Sequence, residues 1–284
     1  MTTVTTTITP TTRLDAAFRR TRKAGRAALI GYLPAGYPDI SSSIEALRTL
    51  SWHVDVLEVG LPYGKPALDG PDITRATRTA LASGTTPAVV MEILRETTAT
   101  TSVPVVLMSY WEPIRSIGPE AMAAAVAATG AAGVILPDLH PSGRGAARWL
   151  TAAARHGIAT TFLAGEGQLS DAAANSTNWI YLPASPGTTG TGVLDLANLR
   201  HRARQVRQLT HAPICTGMGI SSPELAAAVA PVVDGVVVGS AFVRAVQRTA
   251  GGRVDLGLLD HRAARYAATL REVPGGRPPA LAAS

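Results

Sequence analysis

Cysteine and lysine are almost missing from this chain, and each absence excludes something. Cys215 is the one cysteine among 284 residues, so no internal disulfide can form and no cysteine-based metal site can be built. A reducing, cytoplasmic setting fits that usage. The six histidines (53, 140, 156, 201, 211 and 261) show no H-x-x-x-H spacing and no acid-flanked cluster, which argues against a metal enzyme. No apolar run reaches the roughly 18 residues that a membrane span needs. The opening MTTVTTTITPTT is threonine-rich, without a basic start or an apolar core, and does not read as a secretory signal. Aromatics make up only 5% of the chain, and none alternate with the arginines. The net charge of +6 therefore reads as a solvated arginine-rich surface rather than a nucleic-acid stripe. The lysines are Lys23 and Lys65 alone.

What is present is apolar and regularly spaced. Short β-branched runs recur at 28–33, 54–59, 103–108, 133–136, 158–163, 179–182, 213–215 and 234–238. Helix-compatible stretches rich in Ala, Leu and Arg lie between them, at 41–50, 72–83, 87–98, 118–129, 143–155, 195–209 and 222–229. Strands that alternate with helices imply parallel βαβ units, and near-continuous hydrophobicity suits strands buried on both faces. Eight such units predict a (β/α)8 TIM barrel, with an extra amphipathic helix at roughly 12–24 plugging its bottom. An open doubly wound sheet is the alternative, but no G-x-G-x-x-G follows the first strand. The expected organisation is a disordered tail over 1–12, one catalytic barrel over 13–272 and a loose tail over 273–284.

In such a barrel chemistry sits at the C-terminal ends of the strands. Residues 56–71, VLEVGLPYGKPALDGP, place Glu58 there after the second strand and Asp69 eleven residues on, across a Gly/Pro-rich loop. Burial raises a carboxyl pKa, and two acids in different environments can divide acid and base work. The same letters would also suit a strand-end salt bridge and a helix-capping aspartate. Asp138 and Tyr181 fall at comparable positions. Three late loops are glycine-rich: 187–192 (GTTGTG), 217–222 (GMGISS) and 239–242 (GSAF). Glycine turns that open helices present backbone N–H groups to anions, so a phosphorylated small molecule is implied.

GYLPAGYPD (31–39), LEVGLPYGKPALDGP (57–71), LMSYWEPI (107–114), GVILPDLHP (133–141), YLPASPGTTGTG (181–192), GMGISSPE (217–224) and DGVVVGSAFVR (234–244) together resemble the tryptophan synthase alpha subunit family, over about residues 14–270. The resemblance implies a (β/α)8 enzyme that cleaves indole-3-glycerol phosphate to indole and glyceraldehyde 3-phosphate without cofactor or metal. It implies a PLP-dependent beta subunit as partner. By position, Glu58 matches the acid/base and Asp69 the carboxylate that holds the indole N–H. Gly190, Gly219, Gly239 and Ser240 match the phosphate cradle, and Thr189 the lid threonine. Tyr32, Leu107, Tyr181 and Met218 would wall the indole slot, although ordinary barrel core is an equal account of those four.

Several matched positions depart from the family pattern. Gly64-Lys65 stands where a Ser-Asp pair is usual, Glu112 where an Asn lies near the subunit interface, Ser185 where the lid carries an Arg, and Tyr37 where an Asp is usual. Lys65, Glu112 and Ser185 make coupling to a beta subunit an open question. A free-standing lyase of a specialised pathway and a non-catalytic regulatory homologue are the alternatives. A lysine within about 4 Å of Glu58 would lower its pKa and weaken it as a proton donor. Lys65 is therefore expected to point away from Glu58, towards Glu112 or solvent.

Overall fold

The computed structural model describes residues 10–184, 194–248 and 254–275. The chain opens with helix α1 (Pro10–Lys23), then β1 (Ala28–Pro34), α2 (Ile40–Ser51), β2 (Val56–Gly60), α3 (Pro71–Ala82) and α4 (Pro87–Thr100). It continues through β3 (Val105–Met108), α5 (Trp111–Ile117), α6 (Pro119–Ala128), β4 (Gly133–Leu136), α7 (Arg144–Arg155), β5 (Ala159–Phe162) and α8 (Leu169–Asn175). The last part holds β6 (Ile180–Tyr181), α9 (Leu196–Leu209), β7 (Ile214–Thr216), α10 (Pro223–Val229), β8 (Gly235–Val238) and α11 (Ser240–Val243). A small antiparallel pair, β9 (Gln247–Arg248) and β10 (Val254–Asp255), then leads into α12 (Gly257–Glu272).

Strands β1 to β8 form one 8-stranded parallel sheet in the order β5-β4-β3-β2-β1-β8-β7-β6. A parallel bridge between Leu163 and Tyr181 brings its two edges together. The expected TIM barrel is the observed fold. Helix starts follow local chemistry. Asp39, Thr86, Asp195 and Ser222 cap α2, α4, α9 and α10 with side-chain oxygens that accept backbone N–H groups. Proline occupies the first turn of α3, α4, α6 and α10, where its missing N–H costs nothing.

Register decides which side chains meet inside. Tyr32 pairs with Glu58 and Glu58 with Val106, while Met108 pairs with Ile135. These residues share the interior face. Gly31, Leu57 and Val105 share the other face, and a Cβ on Gly31 would lie only 2.8 Å from Leu50 of α2. That face meets the helices. Strands buried on both sides need apolar residues at both parities, which is why the sequence reads as continuous apolar runs.

Helix α1 closes the N-terminal end of the barrel. Leu14, Ala17 and Phe18 are buried there, and the Phe18 ring meets Trp179 edge-on at 5.5 Å. Thr11 donates to the Gly157 carbonyl at 2.7 Å, and Asn178 donates to Asp15 at 2.8 Å, each just before a strand. The helix starts at Pro10, so residues 10–12 belong to it and not to a tail. The far boundary shifts too. Val273 packs against the core, and the Gly275 N–H donates to the Gly25 carbonyl at 2.8 Å. Replacing Phe18 by Ala would leave a cavity under the barrel. A loss of about 3–5 kcal/mol in unfolding free energy is expected by urea titration, and a loss below about 1 kcal/mol would contradict this packing role.

Candidate active site

Glu58 lies in the middle of β2 with its side chain turned into the barrel, and the residue is only 4% exposed. Its Oε2 is buried and has no hydrogen-bond partner among the described residues. Gly60 makes room beside it, because a Cβ there would sit 2.7 Å from Cε2 of the Tyr32 ring. Only glycine leaves room for the outer end of the Tyr32 ring against the end of β2. Burial pushes the Glu58 carboxyl up to about 8 from an ordinary 4.5, and the charge of Asp69 adds to the rise. Near neutral pH Glu58 therefore holds its proton.

Asp69 sits at the end of the loop between β2 and α3, two residues before the helix. Its Oδ1 accepts the Tyr110 hydroxyl at 2.7 Å, and the Tyr110 oxygen accepts the Leu68 N–H at 3.1 Å. Tyr110 thus fixes the loop at backbone and carboxylate together. Partial burial raises the Asp69 pKa, and the Tyr110 hydrogen bond opposes that rise. The same burial and the adjacent charge hold the Tyr110 phenol far above its usual range, so it remains a donor. One acid is kept neutral by burial, while the other has a donor that favours its charged form.

Two cavities meet at these acids. One is lined by Leu68, Met108, Tyr110, Ile135, Pro137, Leu163, Tyr181 and Met218 around Glu58 and Asp69. The other joins Glu58, Asp69, Met108 and Tyr181 to Tyr32, Ile73, Gly217, Val237 and Gly239. The first has a mostly apolar wall with the two acids at its edge. The second leads to the glycine turns after β7 and β8. A Cβ on Gly217 would lie 2.6 Å from Cβ of Val237 and against the Tyr181 hydroxyl, so this glycine keeps the passage open. Gly219 turns the chain at φ +92°, and Ser240, buried, is the first residue of α11.

Tyr32, Glu58, Asp69, Tyr181, Met218 and Gly239 are thus brought to one place. Leu107 is not. It pairs with Val59 and Val134 on the helix-facing side, and its neighbour Met108 lines the cavity instead. The correction is a one-residue slip, and in a strand of period two one residue reverses the face. Counting in twos from Val106, the partner of Glu58, selects Met108 and then Tyr110, both of which sequence reasoning passed over. Thr189, Gly190 and Ser185 lie outside the described residues. Asp138 accepts the Trp111 N–H at 2.8 Å, at the start of α5, which is a capping role. Lys65 is exposed, and among the described residues no ion pair joins it to Glu58. Glu112 pairs with Arg115 at 2.6 Å instead, leaving Lys65 towards solvent.

A TIM barrel with paired acids at its C-terminal mouth and glycine turns after its last strands defines an enzyme acting on a small phosphorylated molecule. Similarity to known proteins narrows this. The family model for the tryptophan synthase alpha chain matches residues 18–265. The tryptophan synthase alpha chain of Acidothermus cellulolyticus is 40% identical over 240 residues, which is 83% of this chain and 89% of the relative. That of Streptomyces coelicolor is 41% identical over 228 residues, 78% of this chain and 83% of the relative. A solved structure of Mycobacterium tuberculosis tryptophan synthase superposes with a TM-score of 0.82 at 34% identity, covering 91% of this chain and 98% of that one. The chain belongs to the tryptophan synthase alpha chain family.

The Glu58 pKa makes a prediction about stability. The folded value lies above the unfolded one, so the contribution is complete below about 4.5 and is lost as pH rises through about 8. Wild type should lose unfolding free energy relative to Glu58→Gln between those limits, by about 1.4 kcal/mol for each step of one in pH, and level off above. Denaturant titrations across pH test this. Parallel curves for the two proteins would mean that Glu58 is not buried neutral.

Proposed function

We propose that this site cleaves indole-3-glycerol phosphate by a retro-aldol reaction, with Glu58 as the acid/base and Asp69 as the anion beside the ring nitrogen. The observation that carries the reading is the buried Glu58 carboxyl, its Oε2 without a partner among the described residues, at the junction of a mostly apolar chamber and a glycine-lined one. The ring occupies the first chamber, between Tyr110, Met108 and Met218. The phosphate reaches Gly219, Gly239 and Ser240 through the second.

In this scheme the neutral Glu58 gives its proton to ring carbon C3. Positive charge then develops at the ring nitrogen, where ionised Asp69 stabilises it and accepts the N–H. The Glu58 carboxylate next takes the proton from the hydroxyl on the carbon attached to C3. As that proton leaves, the bond between the two carbons breaks and its electron pair restores the aromatic ring. An aldehyde forms on the departing fragment. The products are indole and glyceraldehyde 3-phosphate, and Glu58 is protonated again. Each acid–base contribution is of the order of 10²–10⁴-fold in rate. The raised Glu58 pKa supplies the required starting state, and the Tyr110–Asp69 hydrogen bond favours the charged form the second role needs. Every step uses side chains of this chain.

The same proposal extends to a PLP-dependent beta subunit as partner and to the cytoplasm as location. The relatives are alpha chains of tryptophan synthase, which supports the partner. Among the described residues no helix is long and apolar enough to cross a membrane. The exposed Lys65 and the Glu112–Arg115 pair set the charge pattern that the partner must complement.

The deciding experiment is indole release from indole-3-glycerol phosphate, with and without a beta subunit, for wild type, Glu58→Gln and Asp69→Asn. Turnover by wild type and losses of at least about 10²-fold in both variants are expected. Substitutions that leave kcat within a few-fold would remove these residues from the chemistry. In wild type, kcat/KM should fall as pH rises through about 8, where free Glu58 loses its proton.

A further inference from the structure

The proposed reaction grips its substrate at two ends, with the ring nitrogen at Asp69 and the phosphate at Gly239 and Ser240. Those ends belong to different parts of the barrel. Asp69 leads into α3 after β2, and Ser240 opens α11 after β8, while β2 and β8 each pair with β1 rather than with one another. The gap between the two grips is spanned outside the cavity. Asp72, in the first turn of α3, accepts from Arg244, which caps the C-terminal end of α11, at 2.8 Å. The other oxygen of Asp72 accepts from Arg75, one turn along the same helix, at 2.9 Å, which fixes the carboxylate rotamer. The Asp72 and Arg244 side chains are 21% and 37% exposed, so the pair is partly sheltered from solvent.

Beneath this pair, Ile73 and Gly239 line the same chamber, and a Cβ on Gly239 would lie 3.6 Å from Cδ1 of Ile73. On the far side Arg262 of α12 donates to the Ala241 carbonyl at 2.8 Å and anchors α11. Helix α11 is thus held to the barrel wall, and Asp72 hangs the start of α3 from it. Asp69 stands three residues upstream on the same backbone.

We propose that the Asp72–Arg244 ion pair is a clasp that sets the spacing between the acid loop and the phosphate turn, so that an anion held at α11 fixes the loop that carries Asp69. The inference rests on the assignment of Asp69 and Gly239–Ser240 given above. Asp72 and Arg244 are positioning residues and do not touch the reacting atoms. Because the substrate has a fixed length, losing the clasp leaves each grip able to bind its own end but misaligns them. Misplacement by about 1 Å can cost about 10²-fold in rate.

The test uses the full chain with a beta subunit present. Kinetics of indole release, thermal unfolding and affinity for inorganic phosphate are compared for wild type, Arg244→Met, Arg244→Lys, Asp72→Asn and the Asp72→Asn/Arg244→Met double variant. Backbone hydrogen exchange over residues 61–70 is followed with and without saturating inorganic phosphate. Arg244→Met should lower kcat by about tenfold or more, with KM and phosphate affinity within about threefold. Arg244→Lys should recover most of the rate, and the double variant should be no slower than the slower single one. Phosphate should slow exchange over 61–70 in wild type and not in Arg244→Met.

A loss confined to KM or to phosphate affinity would make Arg244 a phosphate ligand and overturn the clasp. So would a lowered Tm with kcat intact, which would make the pair merely structural, or losses that add in the double variant. Should wild type release no indole, the assigned reaction falls, and exchange alone decides the clasp. Protection by phosphate that disappears in Arg244→Met upholds it, and an equal response in both proteins overturns it.

Discussion

Everything about this site follows from placing one carboxyl where barrel side chains shield it from most of the solvent, with only 4% of the residue exposed. Glu58 sits among barrel side chains with an oxygen that finds no donor among the described residues. A charged carboxylate in that position would carry a large desolvation cost, so the fold selects the protonated form. The neighbouring Asp69 deepens the preference, since two close anions repel. The proton held at Glu58 at neutral pH is therefore a product of packing. The Tyr32 ring against Gly60 and the apolar wall of Met108, Ile135 and Leu163 lower the polarity around that carboxyl.

The loop from Gly60 to Gly70 works under the opposite constraint. It must leave the barrel and still deliver Asp69 back over its mouth. Tyr110, from the neighbouring β3–α5 junction, joins the Leu68 N–H to the Asp69 carboxylate through one hydroxyl. Asp72 secures the other end of the loop to α11. The acid on the strand is rigid by burial, and the acid on the loop is held by polar contacts at either side. Polar contacts yield more readily than packing does, which leaves the loop free to respond to ligand or partner.

The architecture was legible because both faces of each strand are apolar and the intervening helices carry their own start signals. All eight strand positions and the helix under the barrel stand in the sequence within a few residues of where they occur. That Glu58 and Asp69 come together at one cavity was legible too, since acids in an otherwise apolar strand and a Gly/Pro loop are unusual. Leu107 was misplaced because a buried run such as VPVVLM has no polar residue to mark its parity. Only register against a neighbouring strand reveals which residue looks inward. Tyr110 was hidden for a related reason: its role is a hydrogen bond to a residue 41 positions away. The Asp72–Arg244 pair joins residues 172 apart and leaves no local trace at all. Local patterns fix elements, while the contacts that align a site come from closure of the barrel.

The scarcity of lysine has a chemical consequence now that both lysines have places. Lys23 ends the helix beneath the barrel and is exposed, and Lys65 is exposed on the loop above Glu58. The cations elsewhere are guanidinium groups, which do not react with reagents selective for amines. The two ends of the barrel are therefore addressed by one side-chain amine each. A dye or cross-linker attached at Lys65 would report from the rim of the active site, and the same group at Lys23 would serve as its built-in reference on the opposite face.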